Sequence, residues 1–213
     1  MRLALLPLAA ALLLSRAAHA DVGDWEAGYN PGRAQRRSDF AMGVTMGAMV
    51  GSVSGYPNDA NKINVDQYRA STGAAAGPET GLWLGGALRD WFVVGVGMSF
   101  GSVAGGDATL SRGGAFVLHL EGFPLFSLGG PFRDLALVGE VGTGSRNLFK
   151  GSASTADGGV TSYIAAGVLY EPIRIGKHIS AGPTLQLARQ FSETLSGTFA
   201  IAAFQIAYYG GPD

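Results

Sequence analysis

The chain has 213 residues, 15 basic and 16 acidic, with a formal net charge of −1 and no cysteine. This balance excludes a nucleic-acid partner held by a basic surface, and an exported form of the chain relies on no disulfide. Glycine is unusually frequent at 34 residues. It follows no collagen period, and it recurs inside apolar alternating runs, where it normally weakens a strand.

The first 20 residues, MRLALLPLAAALLLSRAAHA, combine an early Arg2, an apolar run and Ala18-His19-Ala20. That pattern predicts a signal peptide over 1–20, cleaved after Ala20. A membrane helix needs about 20 apolar residues, and Ser15 and Arg16 interrupt the run too early. The 15 basic residues less Arg2 and Arg16 leave 13 against 16 acidic ones, a net charge of −3. Residues 21–38, DVGDWEAGYNPGRAQRRS, show no periodicity and read as a periplasmic N-terminal arm. Residues 39–213 read as one domain.

Eight alternating runs follow. The first, about 39–57, sets Phe40, Met42, Val44, Met46 and Val50 against Ala41, Gly43, Thr45, Gly47 and Gly51, with Met49 the large exception. The second, about 71–88, sets Leu82, Leu84 and Leu88 against Glu79, Gly81, Trp83 and Gly85. The third sets Phe92, Val94, Val96, Met98 and Phe100 against Val93, Gly95, Gly97 and Ser99. The fourth, about 113–124, sets Phe116, Leu118 and Leu120 against Val117, His119 and Glu121. The fifth, about 133–146, sets Leu135, Leu137 and Val141 against Ala136, Glu140 and Gly142. The sixth, about 159–174, sets Ile164, Val168 and Tyr170 against Ala165, Gly167 and Glu171. The seventh, about 178–192, sets Ile179, Ala181, Leu185 and Leu187 against Ser180, Thr184 and Gln186. The eighth, about 197–209, sets Ala202, Phe204, Ile206 and Tyr208 against Ala203, Gln205 and Ala207.

Period two over eight successive runs argues strands. Each run reaches the roughly 9–11 residues of a tilted membrane-spanning strand, against about 5–6 in a soluble sheet. Links two, four and six read as short, at Arg89-Asp90, 127–131 and Gly176-Lys177. Links one, three and five, PNDANKINVDQYR, AGGDATLSR and NLFKGSASTADG, read as longer and polar. Short turns at one end and longer loops at the other are the habit of outer-membrane barrels.

Aromatics cluster near both ends of the runs: Phe40, Phe92, Phe132, Tyr170 and Tyr208 near the short turns, Phe100 and Phe191 near the longer loops. Phe92 and Phe100 are separated by about 26 Å along the strand, or about 20 Å along the barrel axis after tilt, approaching the apolar band between two aromatic girdles. The large residues therefore face lipid and the small ones a narrow interior. The expected fold is all-β, a closed antiparallel eight-stranded transmembrane β-barrel. A soluble lipocalin-like barrel would need the reverse arrangement.

On these features residues 39–210 resemble the small eight-stranded bacterial outer-membrane barrels of the OmpA/OmpX type. The resemblance implies a Gram-negative outer membrane, lipid contact and assembly by the outer-membrane insertion machinery. Such barrels often end on an aromatic residue, whereas here Tyr208-Tyr209 precedes Gly210-Gly211-Pro212-Asp213.

No nucleophile triad, phosphate loop, metal-ligand spacing or cofactor motif stands out. The candidate site is a polar lumen cluster of His119, Glu121, Glu140, Glu79, Glu171, Gln186 and Gln205. A turn near 129–130 brings His119 opposite or diagonal to Glu140, within cross-strand reach. No Lys or Arg falls on the inner face in this reading, so four carboxylates need hydration, protonation, a shifted register or a partner. The arm, carrying Arg33, Arg36 and Arg37, is one such partner for Glu171. Bulges or strand ends are expected at Pro78, Pro172 and Pro183.

The leading functional expectation is a structural or surface-interaction barrel acting through external loops, with loop 58–70 the best candidate for an extracellular partner. A narrow pore for small solutes or cations is the alternative. A lipid-modifying enzyme ranks last. The outer-membrane lipid A deacylases share the size and barrel form, but their His-x-Ser is His119-Leu120-Glu121 here, and covalent catalysis needs a hydroxyl beside its base.

Overall fold

The computed structural model describes residues 36–106, 109–128 and 130–210. The signal peptide, and the arm up to residue 35, lie outside the described residues. Eight long strands carry the fold: β1 Asp39–Gly55, β2 Ala75–Arg89, β3 Phe92–Ala104, β4 Thr109–Gly122, β5 Leu135–Lys150, β6 Thr161–Tyr170, β7 Ile179–Phe191 and β8 Leu195–Tyr209. Each pairs antiparallel with the next in sequence, and β8 returns to β1 from Ala41↔Tyr209 to Gly55↔Leu195. The sheet closes on itself and leaves no edge for lipid to meet.

Alternation along each strand matches the sequence pattern. Met46, Leu84, Met98, Phe116, Leu137 and Leu187 are exposed, while Thr45, Trp83, Ser99, Val117, Val138 and Ala188 are buried. Large groups outside and buried small or polar groups inside invert a soluble protein, and this exterior suits lipid. The girdle residues Phe40, Phe100, Phe132 and Phe191 are exposed, and Phe92, Tyr170 and Tyr208 are half-buried.

The glycines make room inside. A Cβ on Gly43 would sit 2.5 Å from Nε1 of Trp83, and one on Gly101 would sit 2.5 Å from the terminal methyl of Met49. Met49, the exception to alternation in the first run, thus points inward and is buried.

The links depart from the expected alternation. At the end holding residues 39 and 209 they run 90–91, 123–134 and 171–178; at the other end they run 56–74, 105–108, 151–160 and 192–194. Strands take up much of the two polar stretches read as loops. β4 begins at Thr109, β5 continues to Lys150, and Ala153–Asp157 folds back on it. Link four is lengthened instead by 3-10 turns at Phe126–Leu128 and Gly130–Asp134.

The prolines are also corrected in part. Pro183 sits where β7 exchanges the short strand Ile173–Ile175 for β6 as its neighbour, and Pro172 separates those two strands. Pro78 causes no shift: it pairs opposite Ala48 in an unbroken register, and the β2–β3 bulge lies between Ala87 and Arg89. Two apolar clusters fill the lumen. One surrounds Met49, Tyr163, Phe199 and Ile201, the other Trp83, Phe123, Leu169 and Tyr209.

Candidate functional site

Polar side chains line the interior from one end of the barrel to the other. At the end holding both termini of the sheet, residues 36–38 run across the mouth. The Arg37 side chain is fully buried. Its Nη2 donates to Asp134 Oδ1 and to Glu171 Oε2, both at 3.0 Å, and its backbone N–H donates to Asp90 Oδ1 at 3.1 Å. The guanidinium lies 3.4 Å over the Phe123 ring, a cation–π contact. Phe123 is therefore a platform inside the mouth.

Arg36 and Arg174 also pair with Asp134, and Arg133 pairs with Asp90. Burial works against the charge of Arg37, but Glu171 and the other acidic groups around it hold its pKa above the ordinary value. Burial also works against ionised Asp134, and hydrogen bonds from Arg36 and Arg174 overcome it and lower that pKa. Burial of Glu171, then the nearby Glu121, raise its carboxyl above the usual range against the pull of Arg37.

Deeper in, Tyr209 links this mouth to the middle of the barrel. Its hydroxyl lies 3.0 Å from Glu171 Oε1 and 3.1 Å from Glu121 Oε2. Glu121 Oε1 accepts from Gln205 Nε2 at 2.7 Å and faces His119 Nε2 at 3.1 Å. His119 is 1% exposed. Its Nδ1 faces Glu140 Oε1 at 2.9 Å, and its ring stacks on Trp83 at 4.8 Å between centroids. The register explains the pairing, since His119 lies directly opposite Glu140 across the β4–β5 ladder.

Glu79 and Gln186 fall on the same inner wall but outside this chain of hydrogen bonds. Both line a cavity of about 10 Å³ with Glu140, Thr45, Ser99 and Thr184. Of the cluster read from sequence, the structure joins His119, Glu121, Glu140 and Gln205 directly, adds Glu171 through the Tyr209 hydroxyl, and places Glu79 and Gln186 beside them.

One lumen residue escaped the sequence reading. Arg146 is buried inside the barrel. Its Nε donates to Gln190 Oε1 at 2.7 Å, its Nη1 to Ser111 at 3.3 Å, and its guanidinium lies 4.6 Å over Phe199. The statement that the inner face lacks Lys or Arg is therefore wrong. The signal is present in the sequence: Arg146 is the last residue of the fifth run and shares parity with Ala136 and Glu140, which places it on the inner face. The carboxylates needed no shifted register. All four face inward, and the arm supplies Arg37 to Glu171.

A closed barrel with an apolar exterior and a polar, filled lumen defines a small transmembrane β-barrel. No protein-family model and no curated protein sequence matches the chain. Similar solved structures include the attachment invasion locus protein Ail of Yersinia pestis, at 10% identity and TM-score 0.48 over 79% of this chain and 99% of that one. The outer membrane protein OprG from Pseudomonas aeruginosa matches at 10% identity and TM-score 0.43 over 84% and 100%. The N-terminal β-barrel domain of Pseudomonas aeruginosa OprF matches at 12% and 0.40 over 80% and 99%. The assignment rests on the closed ladder and the exposed apolar belt of this chain.

Proposed function

We propose that the chain is an outer-membrane β-barrel of a Gram-negative bacterium whose filled interior is a rigid mount for an external binding surface. In this reading the mouth closed by Arg37 faces the periplasm, where the insertion machinery would meet the chain, and the segment 56–74 faces outward. The observation that carries the reading is the way connections at that end are tied together. The backbone N–H of Tyr56 donates to the Thr194 carbonyl at 2.8 Å, that of Asp157 to the Tyr56 carbonyl at 3.3 Å, and the Thr194 hydroxyl to the Asp157 carbonyl at 2.7 Å.

On this platform Val65, Tyr68 and Val160 stand exposed, Val160 at 82%. Apolar groups held out on a tied platform suit contact with another molecule. The conduit reading has less support, because Arg37, the His119 layer and Arg146 fill successive levels of the lumen. The enzyme reading has less still. Both ring nitrogens of His119 face carboxylates, which leaves neither for activating a hydroxyl.

Two measurements test the proposal. Membrane fractionation with gels of boiled and unboiled protein should place the chain in the outer membrane with a heat-dependent shift; a soluble periplasmic product with no shift would overturn it. Replacing residues 60–68 with Gly and Ser of equal length should preserve that shift and reduce adhesion of expressing cells to surfaces coated with serum or matrix proteins. Equal adhesion before and after replacement would refute the interaction role.

A further inference from the structure

We propose that the lumen binds one small monovalent cation of about sodium size between Glu79 and Glu140, independently of any role of the external surface. Glu79 is 6% exposed, and its Oε2 has no hydrogen-bond partner among the described residues. The side chain lines the cavity of about 10 Å³, which is room for about one water-sized particle. The polar side chains around that space are Glu79, Glu140, Thr45, Ser99, Thr184 and Gln186. Each of them supplies oxygen, the donor set of hard cations. The Thr184 hydroxyl proton is directed to the Val168 carbonyl at 3.2 Å, so the lone pairs of that oxygen remain for a ligand.

Charge matching selects the ion. Glu171 is paired with Arg37, and Glu121 and Glu140 share His119. Arg146 is held by Gln190 and Ser111 and makes no ion pair within 4.0 Å among the described residues. Glu79 is the one lumen carboxylate among the described residues without a cationic side chain within that distance. A buried charge left in this state is strongly unfavourable. Glu121 and Glu140 have only one imidazole between them, so this layer keeps excess negative charge, and the cavity beside Glu79 has room for a single small ion to offset it. A divalent ion would want more carboxylates, and among the described residues no group of three or more His, Cys, Asp or Glu is placed to hold a metal ion.

The test uses the whole barrel in detergent micelles. Its thermal midpoint is measured in sodium chloride, in N-methylglucamine chloride and in calcium chloride at matched ionic strength. Sodium should raise the midpoint saturably above the bulky-cation control. Glu79→Gln should abolish the difference, and Gln186→Leu or Thr184→Val should raise the half-saturating sodium concentration severalfold. These two variants carry the test if Glu79→Gln does not fold. Equal midpoints in sodium and N-methylglucamine would overturn the proposal. So would stabilisation by Glu79→Gln with no cation dependence in the parent protein, which would make a proton the occupant. A response to calcium alone would overturn the monovalent assignment.

Discussion

Arg37 concentrates the energetics of the barrel mouth beside residues 39 and 209 in one side chain. It meets Glu171, Asp134 and Asp90 while fully buried against Phe123. Removing one member of a buried ion pair costs about 3–5 kcal/mol because its partner stays buried and unmatched. Arg37→Ala should therefore lower the urea-unfolding free energy in micelles by about that much. Glu171→Gln should cost less, since Asp134 and Asp90 still hold the guanidinium. An Arg37→Ala curve that overlays the parent would show that residues 36–38 are a loose tether. The acids nearby also set the response to pH. Asp134 has a lowered folded pKa. Its contribution is present above the unfolded value of about 3.9 and is lost as pH falls through the folded one. Glu171 has a raised folded pKa, so its contribution is present in acid and is lost as pH rises through that value. Stability measured against pH should then lose part of its acid limb in Asp134→Asn, and in Glu171→Gln part of the decline that sets in above the unfolded carboxylate value of about 4.3. Unchanged limbs in both variants would refute the assignment.

Strands β1 and β2 show how residue size fixes the barrel wall. Gly43 lies opposite Trp83 in the register, and the indole fills the space above it. Gly43→Leu should force the indole from its stack on His119, with a cost of about 1–3 kcal/mol for overpacking. Tryptophan fluorescence and thermal unfolding read the two effects, and a wild-type spectrum with unchanged melting would refute the role given to this glycine. The same pairing explains what was legible in sequence. Period two assigned faces correctly at Glu79, His119, Glu121, Glu140, Glu171 and Gln205 because a strand cannot shift by one residue without exchanging all its faces. Strand ends were not legible. Past the lipid belt the strands continue with polar outward residues such as Arg112 on β4 and Asn147 on β5, which pair across the ladder like any others. A polar stretch then reads as loop although its backbone is still bonded as sheet. Arg146 lies past Val141, the last large apolar outward residue of the fifth run, where the alternation that marks the inner face fades. The join between Tyr209, Glu121 and Glu171 was hidden differently, since it crosses the lumen rather than a ladder, and no local pattern encodes it.

Across the whole molecule the lumen is blocked at three levels by unlike means. The mouth is closed by Arg37 on Phe123, the middle by His119 between two carboxylates and stacked on Trp83, and the far half by Arg146 over Phe199 beside Met49 and Ile201. An eight-stranded barrel has an interior only wide enough for side chains to fill. A pore would therefore require all three levels to move together. Truncating Arg37 opens one level and leaves the other two intact. Planar-bilayer recordings should accordingly show no steady single-channel steps for the parent protein and none for Arg37→Ala, despite the latter's lower stability. Discrete steps in the parent that change in size with Glu140→Gln would place an ion path through the His119 layer and restore the conduit reading. Their absence in both proteins would tie the polar interior to rigidity, with loss of one plug weakening the barrel without making it a channel.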